Sequence, residues 1–187
     1  MLGGTFDHLH IGHQALLTAA FSLAEEVGIG VTTEEFLRRE GRKLGVVEPF
    51  EVREGRLREH LSRAFPGRQY RLIPLTDRWG ALLEGRTRML VASPETIHVG
   101  VQANRLRRQK GLPPVALIEV ASVLGDDLLP VSSTRIREGT IDAGGRRRTP
   151  LQGGGRVHEP RQARRCASGP RPGLPGPHPV RTVRQHR

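Results

Sequence analysis

The 187-residue sequence has one cysteine, one tryptophan and one tyrosine. A lone cysteine, Cys166, excludes both a disulfide framework and a zinc site built on thiolates. No run approaches the roughly 18 apolar residues of a membrane span, and the first residues lack the apolar stretch of a signal peptide. These absences predict a cytoplasmic protein. Lysine is nearly missing as well, with two lysines against 28 arginines. Acidic residues are scarce at one end only. From 146 to 187, eleven arginines face a single acid, Glu159, whereas residues 1–145 hold 19 basic and 18 acidic side chains. The formal net charge of +11 therefore describes a tail, and the body is electrically ordinary.

Residues 146–187 have no apolar periodicity and are rich in Arg, Gly and Pro. Such a segment buries too little apolar surface to offset the entropy of ordering, which predicts a disordered tail. Its arginines would hold RNA or another polyanion through counterion release. Without Phe, Tyr or Trp to stack on bases, that binding would be unspecific. The simpler reading is a tolerated extension or an out-of-frame terminus.

In residues 1–145 the apolar period switches repeatedly between strand and helix. "GIGVTT" (28–33), "QYRLIPL" (69–75), "RMLVAS" (88–93) and "PVALIEVASVL" (114–124) read as strands. "QALLTAAFSLAEEV" follows the opening motif as a helix, and "PFEVREGRLREHLSRAF" (49–65) puts Val52, Leu57, Leu61 and Phe65 near one face, with Pro49 at its first position. "PETIHVGVQANRLRRQKG" (94–111) runs from Pro94 to a Gly111 stop, and "SSTRIREG" (132–139) opens a short last helix. Strands alternating with helices predict an α/β fold, a doubly wound parallel sheet over 1–145. Ligands of such sheets sit in the turns beyond the strands' carboxyl ends. Three turns qualify: "GGTFDHLHIGH" (3–13), "SPET" (93–96) and "PVSSTR" (130–135). Only Met1 and Leu2 precede the first of them, against the roughly five residues of a usual strand. The first strand is therefore expected to be a stub or to begin upstream.

Gly3 and Gly4 allow a ligand close to the backbone, and Thr5 adds a hydroxyl. The next helix begins near Gly12, and its free N–H groups favour an anion. His10 and His13, three residues apart, reach the same pocket, where imidazolium would stabilise charge developing on phosphoryl oxygens. Zinc is the competing occupant, but it wants about three or four ligands and only Asp7 or His8 is at hand. His8 otherwise reads as a variable loop position. At the other end Ser132, Ser133 and Thr134 offer hydroxyls at a helix start, while Arg135 and Arg137 bring charge. Plain N-capping by serine is the alternative there.

"GGTFDHLHIGH" resembles the T/HxGH signature of the nucleotidyltransferase superfamily, and "VSSTRIR" resembles its ISSTxIR signature. "HIGH" also occurs in class I aminoacyl-tRNA synthetases, but their lysine-containing second signature is missing and the chain is far too short for one. "VASPET" (91–96), "NRLRRQKGLPPV" (104–115) and "VVEPFEVREGRL" (46–57) are similar to the archaeal and eukaryotic type of phosphopantetheine adenylyltransferase. The resemblance runs from Leu2 to about Gly144 and stops at the tail. It departs at His8, where the family often has proline, and at "DRWG" (77–80), where a tyrosine often precedes the glycine. Trp79 there reads as a packing or lid residue.

The resemblance implies a Rossmann-like nucleotidyltransferase fold of the HUP type and a reaction with magnesium as cofactor. ATP and 4′-phosphopantetheine would give dephospho-coenzyme A and pyrophosphate by in-line attack, without a covalent enzyme intermediate. It implies that His10 and His13 contact the ATP phosphates and that Thr5 bridges to the acceptor phosphate. Gly3, Gly4, Phe6 and Asp7 complete that turn. Lys43, with Arg42 next, would bind the acceptor phosphate, a solvated loop lysine being the alternative. Ser132, Ser133, Thr134 and Arg137 would hold the nucleotide, and Ser93, Glu95 and Thr96 would line the pantetheine or nucleotide side. Asn104 and Arg107 are further candidates, on a helix that otherwise reads as a solvated basic face. Two rivals remain: the same chemistry on nicotinamide mononucleotide, flavin mononucleotide or glycerol phosphate, and a degenerate enzyme binding polyanions through its tail.

Overall fold

The expected alternation is realised in a computed structural model that describes residues 1–41 and 46–148. The strands are β1 (Leu2–Gly4), β2 (Glu26–Thr32), β3 (Gln69–Leu75), β4 (Met89–Ala92) and β5 (Ala116–Glu119). The helices are α1 (Ile11–Leu23), α2 (Glu34–Arg39), α3 (Phe50–Ala64), α4 (Ile97–Gln109) and α5 (Ser133–Arg137), with a 3-10 turn at Gly80–Leu83. All pairings among these strands are parallel: β1 with β2, β2 with β3, and β4 with β5. Met1 joins the two groups. Its nitrogen donates to the Met89 carbonyl and its own carbonyl accepts from the Val91 N–H, each at 2.8 Å. The order is then β3-β2-β1-β4-β5, and the strand order reverses between β1 and β4. β1 has three residues and takes its register from a longer neighbour.

Side chains alternate across the sheet. Leu2, Val27, Ile29, Val31 and Val91 pack on one face with Leu17, Ala20 and Phe21 of α1 and Leu57 and Leu61 of α3. Leu90 and Ala92 point to the other, where Ala103 of α4, Leu82 and Val115 meet them. Helices thus cover both faces, which is the doubly wound arrangement. Each fully buried Leu, Val or Phe contributes about 1.5–3 kcal/mol, so both layers are needed to hold the turns at the strand ends in place.

Several expectations require correction. Val52 does not join the buried face of α3, being 45% exposed; Arg53, one turn before Leu57, takes the inward position and is 0% exposed. A charged residue survives there because backbone carbonyls meet its guanidinium: Nε donates to Glu48 O at 2.7 Å, Nη1 to Thr5 O at 2.7 Å and Nη2 to Thr32 O at 2.9 Å. Pro49 caps α3 and does not start it. The helix expected from Pro94 begins at Ile97, because the Ser93 carbonyl takes the N–H groups of both Thr96 and Ile97 in a separate turn. β5 stops at Glu119, and the chain beyond it closes a loop through the antiparallel Leu124–Pro130 bridge. α1 ends at Leu23, since Glu26 already belongs to β2. The sequence reading missed α2 and the 3-10 turn. α2 has six residues, too few to show a period, and its start is set by Thr33, whose hydroxyl accepts from the Phe36 N–H at 3.2 Å. Lys43, Arg42 and residues 149–187 lie outside the described residues; the first three residues of the tail expected from 146 are described, and they are ordered, with Arg147 in an antiparallel bridge to Ile141. No described helix is long and apolar enough to cross a membrane.

Candidate active site

In a parallel sheet all strand-to-helix turns open on one edge, and a crevice forms where the strand order reverses. Here that point is the β1/β4 seam. A cleft of about 640 Å³ lies over it, lined by Gly3, Gly4, Thr5, Phe6, Asp7, His10 and His13 from the first turn. Ser93, Glu95 and Thr96 line it from the turn after β4, and Ser132, Ser133, Thr134 and Arg137 from the start of α5. Three segments far apart in sequence therefore share one opening. Sequence reasoning missed His98, Phe36 and Thr32, which also line it. His98 sits one position inside α4. The other two lie in and just after the polar run Thr32–Glu35, which reads as an ordinary strand end with a helix cap.

Asp7 is the junction. It is 1% exposed, and its carboxylate accepts from the Glu48 N–H at 3.0 Å and from Arg137, which forms an ion pair with it. Its carbonyl accepts from Ser133 Oγ at 2.7 Å. Asp7 and Arg137 thus tie the first turn to the last helix. Arg137 also donates to Thr134 Oγ1 at 3.0 Å. Arg135, expected to bring charge to the cleft, is committed elsewhere: it pairs with Asp127 and donates to the carbonyls of Leu129 and Pro130. Ser132 caps α5, its hydroxyl accepting from the Arg135 N–H at 3.4 Å. Phe6 is buried, with its ring 5.1 Å from that of His13. Phe6 and His8 both adopt positive φ, 53° each, so this turn doubles back tightly. His8 is anchored there, its N–H donating to Glu48 Oε2 at 3.1 Å.

The two histidines stack with ring centroids 3.8 Å apart. The His10 N–H donates to His13 Nδ1 at 3.3 Å, which makes that nitrogen an acceptor and puts the His13 proton on Nε2. Burial lowers the His13 pKa from its ordinary value to about 3, with the neighbouring His10 adding to the effect. Burial likewise lowers His10 to about 4, opposed by the charge of Asp7. Both imidazoles are therefore neutral at pH 7. Burial thus favours, over the imidazolium expected from sequence, a neutral imidazole that offers phosphate oxygens a hydrogen bond rather than a full charge.

Two expected site residues lie away from the cleft. Asn104 brackets the start of β5, with Nδ2 donating to Val115 O at 2.9 Å and Oδ1 accepting from Val115 N at 2.8 Å. Arg107 is 0% exposed and donates to the carbonyls of Pro113, Leu82, Glu84 and Thr87. Both stitch α4 to its surroundings, and neither lines the opening. Trp79 does line it and packs in the second core layer. The remaining wall is apolar: Leu37, Leu75 and Leu82 join Phe36 and Trp79, and an exposed Arg78–Glu40 pair at 3.0 Å spans its rim.

The sequence profile of the cytidylyltransferase-like family matches residues 1–139. The phosphopantetheine adenylyltransferase of Methanopyrus kandleri is 43% identical over 145 residues, 77% of this chain and 90% of that protein. The bifunctional phosphopantetheine adenylyltransferase/NTP phosphatase of Thermoplasma volcanium is 39% identical over 153 residues, 81% of this chain and 45% of that longer protein. A solved structure described as a protein with unknown function from Archaeoglobus fulgidus superposes with a TM-score of 0.57 at 30% identity, over 66% of this chain and 98% of that one. The shared seam, the joined turns and these similarities lead to one conclusion: the chain belongs to the cytidylyltransferase-like family, among the phosphopantetheine adenylyltransferases of the archaeal type.

Proposed function

We propose that the protein transfers the adenylyl group of ATP to 4′-phosphopantetheine, giving dephospho-coenzyme A and pyrophosphate. The observation that carries this reading is the gathering of the histidine turn, the Ser93–Thr96 turn and the start of α5 on one cleft. The apolar wall of Phe36, Leu37, Leu75, Trp79 and Leu82 favours an acceptor with a long, weakly polar arm. Nicotinamide mononucleotide and glycerol phosphate have no such arm to lay against it.

The acceptor phosphate attacks the α-phosphorus in line, one P–O bond forming as the bond to pyrophosphate breaks. A phosphate monoester is largely deprotonated at pH 7, its second pKa being about 6, so no general base is required. The protein's part is to position and to stabilise charge. His13 Nε2–H donates to an α-phosphate oxygen as charge gathers there. Thr5 supports the acceptor phosphate, while Ser132, Ser133 and Thr134 with Arg137 hold the triphosphate. Lys43 is proposed as a second acceptor-phosphate contact, from the resemblance.

Magnesium is proposed as the cofactor. The Asp7 carboxylate is already committed to Arg137, and Glu40 to Arg78. Glu95 is the one carboxylate lining the cleft with no ion pair among the described residues. That donor set fits an ion carried in on phosphate oxygens, with Glu95 beside it, and not an all-protein cage. Bound there, magnesium would neutralise charge on the triphosphate. ATP and a phosphorylated acceptor are charged metabolites retained inside cells, which supports a cytoplasmic setting.

The test is to incubate the full chain with ATP and magnesium plus each candidate acceptor, and to measure pyrophosphate. Turnover with 4′-phosphopantetheine well above the other acceptors is expected. Turnover of a different acceptor alone would refute the reading.

A further inference from the structure

Among the described residues, two buried side-chain polar atoms have no hydrogen-bond partner: His10 Nδ1 and Thr32 Oγ1. Both belong to residues lining the cleft. His10 lies in the signature, whereas the Thr32 hydroxyl has been given no role. A buried hydroxyl without a partner is unfavourable, and native structures keep one chiefly where a ligand or water completes it.

The position of Thr32 indicates what would complete it. Val27, Ile29 and Val31 of β2 point into the α1/α3 layer, so Gly28, Gly30 and Thr32 face the other way. Gly30 pairs with Gly3 of β1 and Gly4 with Val31, which brings Thr32, the last residue of β2, beside Thr5, the first residue after β1. Along that face of β2, glycines lead up to a single hydroxyl. The Thr32 carbonyl is taken by Arg53 Nη2 at 2.9 Å, while the same guanidinium holds the Thr5 carbonyl at 2.7 Å. One buried cation therefore fixes both threonine backbones. The adjacent Thr33 hydroxyl is fully engaged, accepting from Phe36 N–H and donating to Leu75 O. Only the Thr32 hydroxyl is left over.

We infer that Thr32 is a further binding residue, whose hydroxyl donates to the phosphate of the acceptor alongside Thr5. The inference rests on the proposed adenylyl transfer. Thr32 is 8% exposed, and its hydroxyl is covered, so its remaining exposed surface belongs to other atoms. Rotation about χ1 to another staggered well exchanges hydroxyl and methyl, presenting Oγ1 to a bound oxyanion. The acceptor thus draws out a donor that otherwise has no partner.

Thr32→Val keeps the shape and removes the hydroxyl. Kinetics with magnesium, ATP and 4′-phosphopantetheine should show the acceptor KM raised about tenfold, equivalent to about 1.4 kcal/mol. The ATP KM should stay within about twofold, and the melting temperature of the empty protein should be unchanged or higher. Thr32→Ser should keep an acceptor KM near that of the wild type, and Thr32→Ala should behave as Thr32→Val. A Thr32→Val enzyme with an unchanged acceptor KM, or with the ATP KM altered in its place, overturns the inference and leaves the proposed reaction standing. A wild type that turns over no phosphopantetheine overturns both.

Discussion

Arg53→Met tests whether one buried guanidinium holds the first turn to the strand beside it. The change keeps most of the side-chain volume and removes three charged-donor hydrogen bonds, to Glu48, Thr5 and Thr32. Each such bond contributes about 1.5–3 kcal/mol, and its loss leaves a carbonyl unpaired. Relief of the desolvation suffered by a buried ion offsets part of that sum. Breaking a buried ionic network from one side typically destabilises by about 3–5 kcal/mol, which we take as the net figure. Total stability is only about 5–15 kcal/mol, and for a domain of this size 1 kcal/mol moves the melting temperature by about 2–4 °C. Thermal unfolding followed by circular dichroism should thus show a drop on the order of 10 °C. The control is Arg56→Met. Arg56 pairs with Glu48 at 2.6 Å but is 41% exposed, and such pairs contribute about 0–1 kcal/mol. If Arg53→Met and Arg56→Met melt within about 2 °C of each other, the stapling role of Arg53 is refuted.

His13→Asn should lower kcat by about a hundredfold or more while ATP binding, followed by calorimetry, is largely kept, since in the proposed mechanism the ring acts on charge that develops during transfer. Near-normal turnover would remove His13 from the mechanism. The His10 pKa is lowered on folding from 6.5 to about 4, so the unfolded chain binds more protons between those values and stability falls as pH drops through that window. Urea unfolding at pH 7 and pH 4.5 should show that His10→Asn removes on the order of 2–3 kcal/mol of this loss, and an equal pH slope in both proteins would contradict it. Leu128 has a φ of +61° and is 77% exposed, so Leu128→Gly should raise stability by about 0.5–1 kcal/mol in urea titrations. A decrease would refute the strain assigned to its backbone.

The order of elements was readable because apolar period and turn residues mark each strand and each longer helix. The three turns were readable for a different reason: glycine, histidine and serine gather there with no packing role to explain them. The roles of Arg53 and Arg107 were not readable, since arginine on a helix usually faces water and only the folded chain supplies the seven carbonyls that satisfy the pair. Asn104 failed for the same reason, its amide imitating a backbone neighbour of β5. The neutral state of the histidines depends on burial and stacking, which arise from tertiary contacts and have no local signature. Thr32 went unnoticed because a threonine ending a strand is ordinary until its hydroxyl is found without a partner.

Ser133 and Arg137 reach back to Asp7 across 126 and 130 residues. On the ribosome, a growing chain therefore makes the histidine turn first and receives its clasp near the end of the body. Until Arg137 emerges, the Asp7 carboxylate lacks its cation, and in a prematurely released polypeptide the first turn stays unfastened. The shape of the cleft is in this way tied to completed synthesis of the domain.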